Sequence, residues 1–188
     1  MNDMQTPTVE LLGTLLGTRA AKRLYGGSLV ELFLSESLPL PVHRRLSASR
    51  ELVRRWMLEE LQYGPVLGDP QGVRDYLRVH FLDKEREVFV CLFLDNRHRL
   101  ISAEEMFQGT INGASVHPRE VVKRALQLNA SGVILAHNHP SGVADPSQAD
   151  ELITRRLKEA LALVDIRCLD HLIVGGTAVM SLAERGLL

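Results

Sequence analysis

Residues 133–150 have the sequence Val133-Ile-Leu-Ala-His-Asn-His-Pro-Ser-Gly-Val-Ala-Asp-Pro-Ser-Gln-Ala-Asp150, which joins an apolar run to the start of a helix. The apolar run at 133–136 predicts a buried strand, and Ser147 begins a helical pattern that continues to about residue 163. A strand that passes through a loop into a helix is typical of an α/β layer.

The segments around this stretch predict further strands and helices in alternation. Apolar periodicity and turn residues predict helices at 71–81 and 118–129, strands at 87–95, 100–107 and 166–174, and a hairpin loop at 96–99. We expect the strand at 166–174 to be the last one. The alternation indicates an α/β fold with a mixed sheet flanked by helices.

The N-terminal region has a different pattern, with apolar residues at helical spacing from Val9 to Leu61. We expect Gly26-Gly27 and Pro39-Leu-Pro41 to separate the helices of this region. The segment from Tyr63 to Pro70 contains two glycines and two prolines, which is a strong turn signal. The sequence therefore predicts a small all-helical domain at 1–66 and an α/β domain at 67–188.

The composition is that of an ordinary globular protein, with 45% hydrophobic and 24% charged residues and a net charge of −1. This balance disfavours binding to nucleic acid or anionic membranes through bulk charge. Cys91 and Cys168 both lie in apolar runs, so we predict two small buried side chains rather than a disulfide. No apolar run approaches the ~20 residues of a membrane span, and we expect a cytoplasmic protein without membrane contact.

His137 and His139 are two residues apart at the end of a predicted strand, so both imidazoles face the same side of the sheet. Asp150 lies in the first turn of the next helix, and the intervening loop is long enough to return that turn to the strand end. Two imidazoles and a carboxylate form a three-ligand zinc set with one open position, as in catalytic zinc sites. Zinc in such a site brings the pKa of a water molecule to about 7.

Two features of this region also have ordinary structural explanations. Ser147 and Asp150 have the spacing of a capping box, which is compatible with a metal site. His171 follows Asp170 in the last predicted strand, and we interpret it as a hydrogen-bonded histidine at a strand end rather than as a ligand.

The spacing His-x-His, seven residues, Ser-x-x-Asp is similar to the JAMM (MPN-plus) metalloprotease motif. His137, His139, Ser147 and Asp150 match it without a gap. From about residue 67 to the C terminus the chain also resembles the RadC family. The segments that carry this resemblance are Pro118-Arg-Glu, Ala136-His-Asn-His-Pro-Ser-Gly142, Pro146-Ser147 and Leu169-Asp-His-Leu-Ile173.

The resemblance implies a JAB1/MPN-like α/β fold that is similar to cytidine deaminases. It implies one zinc ion per chain, held by His137, His139 and Asp150. It also implies that the protein hydrolyses a peptide or isopeptide bond in a protein or peptide substrate.

In JAMM enzymes a glutamate takes a proton from the attacking water and gives it to the leaving amine. Glu87, just before the first strand of the domain, is our preferred candidate, and Glu104 on the returning strand is the other. By the same resemblance, the hydroxyl of Ser147 would donate to the oxyanion that forms on the attacked carbonyl.

Association with DNA is the alternative function, either as a repair-associated binding protein or as a metal nuclease. RadC proteins generally carry a helix-hairpin-helix-like domain at the N terminus, but the comparable stretch here, Leu46 to Leu52, contains no glycine. Several arginines there could contact phosphates, although glutamates interleave with them: Arg44, Arg45, Arg50, Arg54 and Arg55. A nucleobase deaminase needs His-x-Glu and a cysteine pair, which the chain lacks. A non-catalytic scaffold is disfavoured by the intact ligand set.

Overall fold

A computed structural model describes residues 6–63, 70–109 and 116–188 of the 188-residue chain. The chain divides into two compact units, Met1–Arg55 and Trp56–Leu188. The domain boundary predicted between residues 66 and 67 lies within 64–69, outside the described residues, and stays a prediction.

The first unit is all-helical, as predicted. It contains α1 (Thr8–Leu16), α2 (Thr18–Leu24), α3 (Leu29–Leu34) and the first part of α4 (Leu40–Tyr63). Its buried core consists of aliphatic side chains from these helices: Leu12, Leu16, Ala21, Leu32, Val42 and Leu46. Gly26-Gly27 separates α2 from α3 as expected, whereas Pro41 lies in the first turn of α4. A proline is tolerated there because the first helical N–H groups have no partner within the helix.

The second unit combines helices with one five-stranded sheet. Its elements after α4 are α5 (Pro70–Phe81), β1 (Val88–Leu94), β2 (Leu100–Gln108), α6 (Pro118–Gln127), β3 (Gly132–Asn138), α7 (Gln148–Ala162), β4 (Arg167–Gly175) and β5 (Ala178–Ser181). The strand order is β2-β1-β3-β4-β5, in which β3 and β4 are parallel and the other pairs antiparallel. The predicted mixed α/β sheet is confirmed.

The expectation that the strand at 166–174 would be the last one is wrong, because β5 follows it. The two strands are joined by a tight turn in which Gly176 has a φ of +57°. With only four residues, β5 is too short for an alternating apolar pattern to reveal it.

Strand β1 is buried along its whole length because helices cover both faces of the sheet. One face packs on α5 and on the end of α4, and the other packs on α6 and α7. Cys91 on β1 is fully buried and Cys168 on β4 is partly buried, and both thiols are free. Among the described residues, none of the helices combines the length and the apolar character needed to span a bilayer.

The topology brings three elements close to the carboxyl end of β3. Strand β1 runs antiparallel to β3 with Phe89 opposite His137, so the segment before β1 meets the end of β3. Strand β4 runs parallel to β3 on its other side and sets His171 opposite Leu135. The loop after β3 leads directly into α7.

Candidate metal centre

Three polar side chains converge at the end of β3 and the start of α7. The Nε2 atoms of His137 and His139 are 2.9 Å apart, and Asp150 Oδ1 lies 3.1 Å from the Nε2 atom of His137. Asp150 Oδ2 lies 3.5 Å from the Nε2 atom of His139. These ligand atoms lie within 4.8 Å of one another and could hold a metal ion. The structure thus brings together the three residues predicted as ligands.

The histidines share a face because the ladder between β3 and β4 continues past the end of β3. The backbone N–H of His139 donates to the carbonyl of Val174 across 2.8 Å, so residues 137–139 stay extended. Alternation then directs His137 and His139 to one face and Asn138 to the other. His137 is buried, with 1% of its side chain exposed, whereas the side chain of His139 is 18% exposed. Solvent therefore reaches the site from the side of His139.

Asp150 is fixed by the capping box that begins α7. Its backbone N–H donates to Ser147 Oγ across 3.2 Å, and its Oδ2 atom accepts the backbone N–H of Ser147 across 2.7 Å. The Ser147 hydroxyl also donates to Asp150 Oδ2 across 2.6 Å. With Oδ2 occupied by these donors, Oδ1 faces His137. The predicted capping box is present, and it orients one of the three candidate ligands.

The tautomer of His139 follows from a contact on the far side of its ring. The Nδ1 atom lies 2.8 Å from the carbonyl oxygen of Val143, and a carbonyl only accepts, so Nδ1 carries the hydrogen. In the neutral form of the ring, the Nε2 atom then presents its lone pair to the site. The loop that supplies Val143 lies against Gly175, where an added Cβ atom would come within 2.5 Å of backbone atoms of Val143 and Ala144. A glycine at 175 is therefore required for this close approach.

Electrostatics at the site favour a cation. The hydrogen bond with Asp150 raises the pKa of His139 above its ordinary value, and the charge of Glu87 adds to this. Burial acts to raise the pKa of Asp150, but hydrogen bonds from His137 and His139 hold it far below its usual range. The two imidazole nitrogens and the carboxylate converge to within 2.9–3.5 Å, so a positive charge between them, either a proton or a metal ion, is favoured. Ligand atoms ~2.0–2.1 Å from a tetrahedral zinc ion are about 3.3 Å apart, so the donor set fits that ion.

Glu87 and Glu104, the two candidate bases, lie in different surroundings. Extending the register in which Phe89 pairs with His137 by two residues sets Glu87 opposite His139, on the face of the two histidines. Glu104 pairs with Cys91, further along β1, and its two carboxylate oxygens each accept a hydrogen bond from Arg124 at 2.7 Å. The Glu104 carboxylate is therefore already engaged in an ion pair.

Two residues of this region have roles that the sequence did not reveal. Asn138, between the histidines, is buried, and its side chain binds the backbone of residues 84–88, the segment that carries Glu87. His171 is hydrogen-bonded, as expected, but it lies in the middle of β4 rather than at a strand end, and its Nε2 atom is 2.8 Å from His137 Nδ1. Burial holds the pKa of His171 well below its ordinary value, so the ring is neutral.

Comparison with known proteins agrees with this architecture. The sequence model of the RadC-like JAB domain matches residues 67–187, which include the whole sheet and all three candidate ligands. A UPF0758 protein of Nitrosococcus oceani is 53% identical over 186 residues, which are 99% of this chain and 80% of that protein. The chain belongs to the RadC family. The JAB1/MPN-like fold predicted for its second unit is thereby confirmed.

Two further relatives show the extent of the similarity to RadC-family proteins. A UPF0758 protein of Thioalkalivibrio sulfidiphilus is 54% identical over 95% of this chain and 78% of its own length. One from Methylibium petroleiphilum is 59% identical over 76% of this chain and 64% of its own length. The similarity to the first two relatives covers nearly the whole chain, so this RadC protein shares more than the JAB domain with them.

Proposed function

We propose that this RadC-family protein is a zinc-dependent hydrolase of the JAMM type that cleaves a peptide or isopeptide bond. The observation that carries the proposal is the convergence of two imidazole nitrogens and one carboxylate oxygen at a site that solvent reaches from one side. Three protein ligands leave a fourth position open, whereas structural zinc sites usually have four protein ligands. Nitrogen and oxygen donors of this kind suit zinc.

His137, His139 and Asp150 would hold the ion. When bound, zinc would polarise the scissile carbonyl and make a water molecule more acidic. The carboxylate of Glu87 would take a proton from that water as its oxygen attacks the carbonyl carbon. As the C–N bond breaks, Glu87 would give the proton to the departing nitrogen, so that the products are a carboxylic acid and an amine, which then ionise in water.

Three observations support these roles. Glu87 raises the pKa of His139 through its charge, which places its carboxylate in the electrostatic range of the site. Glu104 is held by Arg124 and is a weaker candidate for the base. The Ser147 hydroxyl borders the site because it donates to Asp150 Oδ2. A rotation about its Cα–Cβ bond would redirect this hydroxyl to an oxyanion on the substrate.

We propose a protein or peptide as the substrate class. The alternative of DNA association stays a prediction. In the helical region, Glu51 forms ion pairs with Arg54 and Arg55, and Arg45 donates to the carbonyl of Leu15. These contacts engage three of the five arginines that could contact phosphates.

The metal content of purified protein tests the proposal directly. We expect about one zinc per chain by plasma mass spectrometry after purification without chelator, and its loss in the double variant His137→Ala/His139→Ala. The variant His43→Ala, which changes an exposed histidine of α4, should keep the metal. Wild-type protein without zinc, even after reconstitution and removal of excess metal, would contradict the proposal.

Activity is the second part of the test. Zinc-loaded wild type would be incubated with a peptide library and with isopeptide-linked lysine peptides, and new amines would be detected by mass spectrometry. We expect cleavage that stops on chelation and returns with added zinc. Binding of zinc without cleavage of any library member would leave the metal site in place and contradict the proposed hydrolysis of small peptide substrates.

A further inference from the structure

A buried chain of hydrogen-bonding groups connects two of the candidate ligands behind the metal centre. His137 Nδ1 lies 2.8 Å from His171 Nε2, and His171 Nδ1 lies 2.5 Å from the hydroxyl oxygen of Thr154. That oxygen lies 2.5 Å from the backbone carbonyl oxygen of Asp150. The chain thus begins at a ligand on β3, passes through β4, and ends at a ligand on α7. His171 and Thr154 are each at most 1% exposed.

The contact between the Thr154 hydroxyl and the Asp150 carbonyl sets the direction of the hydrogen bonds in this chain. Two oxygens at 2.5 Å need a hydrogen between them, and a carbonyl has none to give, so the Thr154 hydroxyl donates to Asp150. A hydroxyl has one hydrogen, so His171 Nδ1 must donate to Thr154. The ring of His171 is fully buried and its nitrogens contact an imidazole and a hydroxyl, neither of which is an anion, so the ring is in its neutral form. It then accepts at Nε2, and the hydrogen of that contact comes from His137 Nδ1.

This order determines which nitrogen of His137 faces the site with a lone pair. With its hydrogen on Nδ1, the neutral ring of His137 presents an unprotonated Nε2 atom toward Asp150 and His139, which is the form that binds a metal ion. His139 reaches the same tautomer through one contact with the carbonyl of Val143. Within residues 6–63, 70–109 and 116–188, no backbone carbonyl contacts Nδ1 of His137, which instead contacts His171. Through His171 and Thr154 it is connected to the backbone carbonyl of Asp150.

The surroundings of His171 fix its ring as well as its hydrogen bonds. Phe89 packs edge-on against His171 with ring centroids 5.5 Å apart, and it stacks on His137 with an interplanar angle of 9°. An imidazole bridges the gap because its two nitrogens lie on different edges of one rigid ring. In its neutral form the ring accepts at one nitrogen and donates at the other.

We propose that His171, supported by Thr154, is a positioning residue that sets the tautomer and orientation of His137 for metal binding. The inference rests on the proposed metal site, and it adds an outer shell that joins β3, β4 and α7 around the ion. Outer-shell partners of this kind affect metal affinity by about 10–100-fold. His171 contacts neither substrate nor metal in this role.

Matched variants separate the hydrogen bond from simple packing. His171→Leu removes both ring nitrogens, whereas His171→Gln retains an acceptor near the position of Nε2. Thr154→Val removes the hydroxyl without changing the shape of the side chain, and Thr154→Ser retains it. The exposed His43→Leu serves as the control for loss of a histidine. Zinc affinity would be measured at one fixed pH by competition with a fluorescent chelator.

We expect His171→Leu to weaken zinc binding by about 10–100-fold and Thr154→Val to weaken it by a smaller factor in the same direction. His171→Gln should recover a large part of the loss, and Thr154→Ser and His43→Leu should bind like wild type. Thermal unfolding of each metal-free variant shows whether it is folded. Where His171→Leu does not fold, the comparison of Thr154→Val with Thr154→Ser carries the test.

Nitrogen-15 NMR of zinc-loaded wild type gives a readout that a purely structural role would not produce. We expect a scalar coupling across the N–H···N bond between His137 Nδ1 and His171 Nε2, with the hydrogen of His171 on Nδ1. A hydrogen on His171 Nε2, or equal zinc affinity in all folded variants, would overturn the inference and leave the metal site intact. Wild type that binds no zinc would instead refute the proposed function.

Discussion

The side-chain oxygen of Asn138 accepts a hydrogen bond from the backbone N–H of Val88 across 2.8 Å, although the two residues are 50 positions apart. The amide nitrogen of the same side chain donates to the carbonyls of Arg86 and Lys84 at 3.0 and 3.3 Å. The residue between the two histidines thus holds the backbone on both sides of Glu87. The candidate metal ligands and the proposed base are thereby attached to one point of the fold.

Replacement of Asn138 by alanine should reduce the free energy of unfolding by about 2–3 kcal/mol. The change removes the side-chain partner of the buried N–H of Val88 and of the carbonyls of Arg86 and Lys84. Each buried group left unpaired costs about 1–3 kcal/mol, and the carbonyls near the surface can bind water instead. Asn138→Asp should cost more, because a carboxylate would then face two carbonyl oxygens. Urea denaturation of the metal-free proteins measures both effects.

Asn96→Ala, in the exposed turn between β1 and β2, is the matched control and should change stability by no more than about 0.5 kcal/mol. If Asn138→Ala were as stable as this control, the three hydrogen bonds would not hold the segment as described.

The choice between the two candidate bases can be made with two glutamine variants. Glu87→Gln should retain zinc and reduce turnover by about 10²–10⁴-fold, because glutamine cannot accept the proton of the attacking water. Glu104→Gln should retain zinc and turnover, since the ion pair with Arg124 is its main contact. Zinc content and turnover would be measured on the same preparations. Full turnover in Glu87→Gln would exclude Glu87 as the base, and loss of turnover in Glu104→Gln would point to Glu104.

The sequence predicts those parts of the fold whose pattern is contained in one short segment of the chain. Residues 88–94 are continuously apolar because both faces of β1 are covered, and this run predicts a buried strand by itself. Ser147 and Asp150 predict the start of α7 through the capping box, and the same spacing predicts the third ligand. The sequence alone predicts the candidate metal site because its three residues lie within a segment of 14 residues, 137 to 150.

The parts that the sequence did not reveal depend on long-range pairing. His171 meets His137 only because β4 lies parallel to β3, across a separation of 34 positions. Asn138 meets Val88 only because β1 lies on the other side of β3. A lone histidine or asparagine in an apolar run gives no indication of its partner, so these contacts required the strand order.

The ion pair between Glu104 and Arg124 predicts a pH dependence of stability. The hydrogen bonds from Arg124 lower the pKa of Glu104 below its ordinary value of 4.5, although burial opposes the shift. A carboxyl group with a lowered folded-state pKa stabilises the fold above its unfolded-state pKa and loses this contribution as the pH falls through the folded-state pKa. The loss should therefore occur below pH 4.5.

Glu104→Gln should be less stable than wild type at pH 7 by no more than about 1 kcal/mol, because the pair is partly exposed. The difference in melting temperature between the two proteins should shrink as the pH falls from 5 to 3. Because both proteins contain the same other carboxylates, the contributions of these groups cancel in the difference between the two melting temperatures. A constant difference over this range would show that Glu104 keeps its ordinary pKa in the folded protein.

The two thiols should be unreactive while the protein is folded. Burial raises the pKa of Cys168 to about 12, and it raises the pKa of the fully buried Cys91 further. At pH 8 a thiol with this pKa is a thiolate in about one molecule in ten thousand, and the thiolate is the form that reacts. Native protein at pH 8 should therefore show almost no alkylation by iodoacetamide within minutes, whereas protein in urea should be modified at both cysteines. Rapid alkylation of Cys168 in a folded Cys91→Ser variant would show that the edge of the core around β4 opens far more readily than its burial indicates.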